Sequence, residues 1–190
     1  MDGTAKRWIG AQELYEDSLR LALAVLDSGF APTLLLGLWR GGSPVAITVH
    51  ETLAYFGVQA EHLSLRTSLY TGIDARAPRI RIHGIEALAV AGFDCRRVLI
   101  VDDVFDTGVT LEQTLDALRA VPATHASEIR IATVWWKPAR NRTGITPHYW
   151  LHRTEQWLVF PHELCGLEAA EILREKRGAS VLAPRLQPAC

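Results

Sequence analysis

The segment Val98–Thr110, VLIVDDVFDTGVT, sets two adjacent carboxylates, Asp102 and Asp103, directly behind four apolar residues. In an open α/β sheet, ligands bind beyond the carboxyl ends of the strands, where the next turn and helix begin. A strand ending at Val101 therefore puts both aspartates at an exposed binding edge. The turn that follows suits an anion. Thr107 and Thr110 offer hydroxyls, Gly108 allows close backbone approach, and a helix start presents unbonded N–H groups at the positive end of its dipole. Two acids beside a phosphate cradle make chemical sense if the acids hold sugar hydroxyls and a magnesium ion while the cradle holds a sugar 5-phosphate. Taken alone, an Asp-Asp pair also fits an ordinary turn. A second basic, glycine-containing site lies upstream at Leu38-Trp39-Arg40-Gly41-Gly42, which equally suits a plain strand-to-helix turn.

Hydrophobic spacing supplies the elements that must position these groups. Tyr15, Leu19, Ala22 and Leu26 recur at helical spacing before Gly29, which predicts an amphipathic helix over residues 11–28. Thr33–Trp39 is an unbroken apolar run, as in a strand buried on both faces. Ser43 can cap the next helix, with Pro44 at its first position and Val45, Val49, Thr52 and Phe56 on its inner face as far as Gly57. Val98–Val101 repeats the buried-strand pattern. The helix after it runs through Leu111, Leu115 and Leu118 to Pro122, with Thr110 and Gln113 at capping-box spacing. Ile129–Trp136 alternates and is rich in strand formers, and His148–Leu151 is a last short strand. Strands alternating with helices predict a mostly parallel sheet with crossover helices. Arg66–Gly84 reads as a long loop or loose hairpin, Leu167–Arg177 as helical, and Gly178–Cys190 as an irregular tail.

Val98–Thr110 closely resembles the phosphoribosyl pyrophosphate motif of type I phosphoribosyltransferases: four apolar residues, two acids and a loop containing Thr-Gly. The resemblance implies that Asp102 and Asp103 hold the ribose hydroxyls and magnesium, and that Asp106, Thr107, Gly108, Val109 and Thr110 wrap the 5-phosphate. In the 6-oxopurine branch the aspartate before Thr-Gly, here Asp106, lies near purine N7 and handles its proton. Trp39, Arg40 and Gly41 resemble the pyrophosphate loop, whose non-proline cis peptide would fall at Trp39–Arg40. Lys137, in Trp136-Lys137-Pro138-Ala139, resembles the lysine that contacts the exocyclic oxygen at purine position 6. Trp157 resembles the aromatic that stacks on the base, with main-chain groups near Leu158 reading position 2. The family's second magnesium contact is an aspartate, and this chain has Glu163 there. Arg76, Arg79 and Arg81 compete for the pyrophosphate contact of a closing loop. What the resemblance implies is an α/β phosphoribosyltransferase-like domain spanning 1–190, a mostly parallel twisted sheet flanked by helices with a small hood near 137–166. The implied activity is magnesium-dependent transfer from phosphoribosyl pyrophosphate to guanine, hypoxanthine or xanthine, by a homodimer or homotetramer.

The bulk composition is compatible with this. A chain of 190 residues with 48% hydrophobic and 22% charged residues can bury one substantial core. A formal net charge of −1 provides no polyanion-binding footprint, so a nucleic-acid partner is not expected. Cys95, Cys165 and Cys190 form no CxxC pair and are odd in number, which argues against a disulfide framework. His162-Glu163 lacks the second histidine of a zinc helix, because residue 166 is glycine. Met1–Gly10 lacks an apolar signal core and no apolar run is long enough to span a bilayer, so a cytoplasmic location is expected and Asn141-Arg142-Thr143 matches a glycosylation acceptor only by chance. Two rival classes share parts of the pattern. A phosphoribosyltransferase-fold regulator of gene expression needs a basic face or an appended module, and a doubly wound phosphate-binding hydrolase leaves Lys137 and Trp157 without a role.

Overall fold

Leucine-rich runs with polar residues confined to their ends bury completely, and here they form adjacent strands at the centre of a sheet. The computed structural model describes residues 6–70, 79–90, 92–121 and 128–186. Its elements in chain order are β1 (Lys6–Trp8), α1 (Ala11–Asp27), β2 (Leu34–Trp39), α2 (Gly42–Tyr55), β3 (Glu61–Tyr70), β4 (Arg79–His83), α3 (Ala87–Val90), β5 (Arg97–Phe105), α4 (Val109–Ala120), β6 (Glu128–Trp136), β7 (Tyr149–Arg153), β8 (Trp157–Val159) and α5 (Ala169–Glu175). Two compact units divide the chain, Asp17–Glu155 and Met1–Glu16 with Gln156–Cys190. The expected hood segment, 137–166, is split between them at Glu155.

The larger unit holds a six-stranded sheet in the order β4-β3-β2-β5-β6-β7. All neighbours are parallel except β3 and β4. The order leaves β2 in one direction toward β3 and in the other toward β5, so β2 and β5 flank the point where the winding reverses. At such a point the loops beyond the carboxyl ends diverge and open a crevice. Those loops are Arg40-Gly41 and Asp106-Thr107-Gly108. Leu34, Leu36, Leu38, Val98 and Ile100 pack with Leu111, Leu115 and Leu118 of α4 in one buried cluster. Each such side chain contributes about 1.5–3 kcal/mol by leaving water, which locks β2, β5 and α4 together under the crevice.

Several expectations are corrected. The buried stripe of α1 is Leu14, Asp17, Ser18, Leu21, Ala22 and Val25, whereas Tyr15 is 52% exposed, so the helix is turned by about one residue from the predicted face. On α2 the inner face ends at Leu53, and Phe56 is 57% exposed. That helix starts at Gly42 with Gly41 as its N-cap and no side-chain cap, so Ser43 does not cap it. Nor do Thr110 and Gln113 form a capping box: the N-cap of α4 is Gly108, and Gln113 Oε1 instead accepts a 2.7 Å bond from Ile80 N of β4. β5 runs four residues past Val101, because Asp102–Phe105 keep pairing with β6. β6 does not alternate; Ile131–Trp135 are buried without a break. The span Arg66–Gly84 is a hairpin in part, with Arg66–Tyr70 opposite Arg79–His83. Arg76, the side chain of Arg79, Pro122 and residues 187–190 lie outside the described residues. The tail is not wholly irregular, since Ala179–Arg185 is a 3-10 helix. The smaller unit carries the parallel pair β1 and β8.

An apolar-spaced helix does not predict that Asp17 is buried. Its carboxylate accepts bonds from His152 Nε2 of β7 and Arg20 Nη1, each at 2.7 Å, tying α1 to the edge strand. Both donors are partly solvated, which limits the loss when the carboxylate is removed. Asp17→Ala is expected to lower unfolding free energy by about 1–3 kcal/mol, with Asp17→Asn losing less because it keeps an acceptor oxygen. An unchanged urea midpoint for Asp17→Ala would show the pair to be dispensable.

Candidate active site

Beyond the ends of β2 and β5 the chain makes two glycine turns. The Trp39–Arg40 peptide is cis, and both side chains are exposed, Trp39 at 54%. Gly41 follows because nothing larger fits. A Cβ built there would lie 2.1 Å from Asp103 Oδ2 and 2.7 Å from Oδ1, so the carboxylate rests against the glycine backbone. Asp103 is therefore buried, 7% exposed, rather than standing free at a strand end. Its Oδ1 accepts from Val104 N at 2.8 Å, and Asp102 Oδ1 accepts from Asp103 N at 3.0 Å. Desolvation, and then the neighbouring Asp103 carboxylate, push Asp102 well above the ordinary carboxylate range, against a backbone hydrogen bond from Gly42.

A carboxyl raised in this way at Asp102, beside the buried carboxylate of Asp103, is a donor pair that a hard divalent cation relieves. Among the described residues no group of three or more His, Cys, Asp or Glu could form a complete protein cage. Magnesium suits such a place, since it is commonly held by one or two carboxylates together with waters and substrate oxygens. Asp102 and Asp103 fit it on that ground. In the smaller unit, Glu163 Oε2 closes the turn after β8 by accepting from Phe160 N at 2.9 Å.

Both helix starts at the crevice lack a side-chain cap, although serine and threonine stand close by. Gly108 takes φ 79°, a left-handed conformation reserved for glycine, and turns the chain into α4. Uncapped N-terminal N–H groups are the donors a phosphate uses. The Thr107–Thr110 turn is braced from outside: Arg142 N donates to Thr107 O at 2.9 Å, and Thr143 Oγ1 lies 2.5 Å from where a Cβ on Gly108 would be. Asn141 Oδ1 accepts from both Thr143 N and Thr143 Oγ1 at 2.9 Å, so the Asn-Arg-Thr triplet is an Asx-type turn supporting this wall.

Next to that wall, Lys137 N donates to Phe105 O at 2.9 Å, which carries the lysine over the end of β5. Its ammonium is buried, 4% exposed, and donates to Asp106 Oδ2 at 3.0 Å. It is no solvated lysine. Arg140 Nε approaches the other oxygen, Asp106 Oδ1, to 2.9 Å. Sequence reading missed Arg140, although Lys-Pro-x-Arg carries a signal: proline starts a tight turn that brings a residue three positions on back beside the lysine. Of the base-contact candidates in the smaller unit, Trp157 on β8 is 56% exposed and Leu158 is 7% exposed. Arg81 is exposed on β4, opposite Ser68.

Residues 10–163 match the phosphoribosyl transferase domain. The chain belongs to the phosphoribosyltransferase family. Its type I fold is shared with a purine phosphoribosyltransferase of Pyrococcus horikoshii, at 27% identity and TM-score 0.66, covering 85% of this chain and 96% of that one. A xanthine-guanine-hypoxanthine phosphoribosyltransferase of Helicobacter pylori has the same fold at 18% identity and TM-score 0.60, covering 83% and 91%. By sequence, this phosphoribosyltransferase is 35% identical over 94 residues to the bifunctional protein PyrR of Corynebacterium diphtheriae, a match covering 49% of each chain. It thus spans about half the length of that curated relative. No helix among the described residues is long and apolar enough to cross a membrane.

Proposed function

We propose that this chain transfers the 5-phosphoribosyl group from phosphoribosyl pyrophosphate to N9 of a 6-oxopurine, releasing pyrophosphate. The observation that carries this reading is the pairing of Lys137 Nζ and Asp106 Oδ2 at 3.0 Å beside the phosphate turn. An ammonium donates only, and a carboxylate accepts only. A 6-oxopurine in its N7–H form presents the complement on one edge, an acceptor oxygen at position 6 and a donor at N7. Uracil has no imidazole ring, so it cannot set an exocyclic oxygen beside an N7–H in this arrangement.

The family likeness supplies the remaining roles. Asp102 and Asp103 hold the ribose hydroxyls, and the uncapped start of α4 with Thr107, Val109 and Thr110 holds the 5-phosphate. Arg40 and the backbone of Gly41 receive the pyrophosphate. Asp102 and Asp103 would hold a magnesium ion, which would supply charge neutralisation for the departing pyrophosphate. As N9 attacks ribose C1, Asp106 accepts the N7 proton and Lys137 stabilises charge drawn to O6. Trp157 provides the aromatic face for stacking, worth roughly 1–3 kcal/mol per base.

Pyrophosphate release measured with phosphoribosyl pyrophosphate and guanine, hypoxanthine, xanthine or uracil tests the reading. Release with at least one purine and not with uracil is expected, and the reverse pattern would overturn it. The likeness to a protein named bifunctional favours one second reading, a regulator that binds phosphoribosyl pyrophosphate or nucleotide. Binding of that ligand with no pyrophosphate release on any base would select it.

A further inference from the structure

We infer that Arg140 is a positioning residue, which holds Asp106 in place so that its Oδ2 stays available to the base edge while Lys137 turns its ammonium toward the exocyclic oxygen. This rests on the assignment of Asp106 to the purine N7 proton. Asp106 carries one negative charge and faces two cations, Lys137 at Oδ2 and Arg140 at Oδ1. The two contacts differ in kind. Lys137 donates a hydrogen bond, whereas Oδ1 is enclosed and makes no hydrogen bond, so that Arg140 acts on it by charge and proximity. The two cations also differ in burial: the Lys137 side chain is 5% exposed and that of Arg140 46%.

A buried ammonium that begins to bond the base must share its protons between two acceptors. With Lys137 as its only cation, Asp106 would be free to rotate after it and lose its aim at N7. Arg140 removes that freedom, because its backbone is pinned on both sides. Its own N donates to Lys137 O at 3.1 Å, closing the 3-10 turn Pro138–Arg140, and Arg142 N donates to Thr107 O at 2.9 Å. The guanidinium is thus attached to the wall that carries the 5-phosphate turn, so the phosphate cradle and the acceptor for N7 share one rigid support.

A double-mutant cycle tests this. Arg140→Ala is expected to lower kcat on guanine about 10-fold, with KM for phosphoribosyl pyrophosphate unchanged and with Arg140→Lys recovering most of the loss. Added to Asp106→Asn, Arg140→Ala should change kcat by less than about twofold, since the carboxylate it positions is already gone. A thermal melt of each variant controls for folding, and the exposure of Arg140 favours a normal one. Multiplicative losses in the double mutant, or wild-type kinetics for Arg140→Ala beside an impaired Asp106→Asn, would overturn the positioning role alone. Wild-type turnover by Asp106→Asn itself would overturn both this role and the purine reading.

Discussion

Adenine is expected to be used about 10⁴-fold less well than guanine or hypoxanthine, measured as kcat/KM under the same phosphoribosyl pyrophosphate concentration. The size follows from what a buried donor does when its acceptor is missing. Lys137 is 4% exposed and its ammonium donates to Asp106 Oδ2. An amino group at purine position 6 brings a second donor against the ammonium. Leaving a charged group without its bond costs more than the 1–3 kcal/mol of a neutral one, and sites built around a substrate's polar group reject analogues lacking it by roughly 10⁴- to 10⁵-fold. Lys137→Met should remove most of this preference by lowering use of the 6-oxopurines toward that of adenine. The variant should fold, because Asp106 keeps Arg140 at 2.9 Å and is itself 32% exposed. Comparable use of adenine by the wild type, or unchanged 6-oxopurine kinetics in Lys137→Met, would remove Lys137 from base recognition.

Asp106→Asn is expected to lower kcat by about 10²- to 10⁴-fold, the range of general acid–base assistance, and to raise KM for the base far less. The amide cannot take the N7 proton. It also places a neutral group, with a donor of its own, against a buried ammonium. Breaking a buried ion pair by removing one partner costs about 3–5 kcal/mol, so a lower melting temperature should accompany the loss of turnover. The two effects separate experimentally. Saturating phosphoribosyl pyrophosphate stabilises the folded state by mass action, which restores folded protein without restoring a proton acceptor. A variant that recovered wild-type kcat under saturating substrates would show that Asp106 serves the fold and not the reaction.

The difference between these two expected stability effects comes from one asymmetry. Removing the lysine leaves an aspartate that still faces an arginine and some solvent, whereas removing the aspartate leaves a lysine with neither. Nothing in the spacing of Lys137 and Asp106 along the chain carries that information.

Local residue patterns were enough to locate the buried strands β2 and β5 and the glycine turns beyond them, because those features depend on local chemistry. A run such as Leu34–Leu36 or Val98–Val101 has no polar side to give water, and Gly41 and Gly108 stand where a Cβ meets a carboxylate or a left-handed turn. Asp102 and Asp103 were legible as candidates from residue type and order, and Asp106 and Lys137 from the family resemblance. Which of them meet, and how deeply they lie, follows from long-range packing. Extension of β5 to Phe105 depends on pairing with β6, a strand elsewhere in the sequence, and this is what buries Asp103 against Gly41. Ser43 and Thr110 looked like caps because capping preference is local, but both helix starts border the crevice and stay uncapped. The buried face of α1 was set by Asp17 meeting His152 across the sheet edge, which no apolar periodicity records. Lys137, Asp106 and Arg140 come together only because parallel strands return each connection to the same edge of the sheet. Burial free energy can be read residue by residue, but the pairing of charges depends on where separate crossovers end.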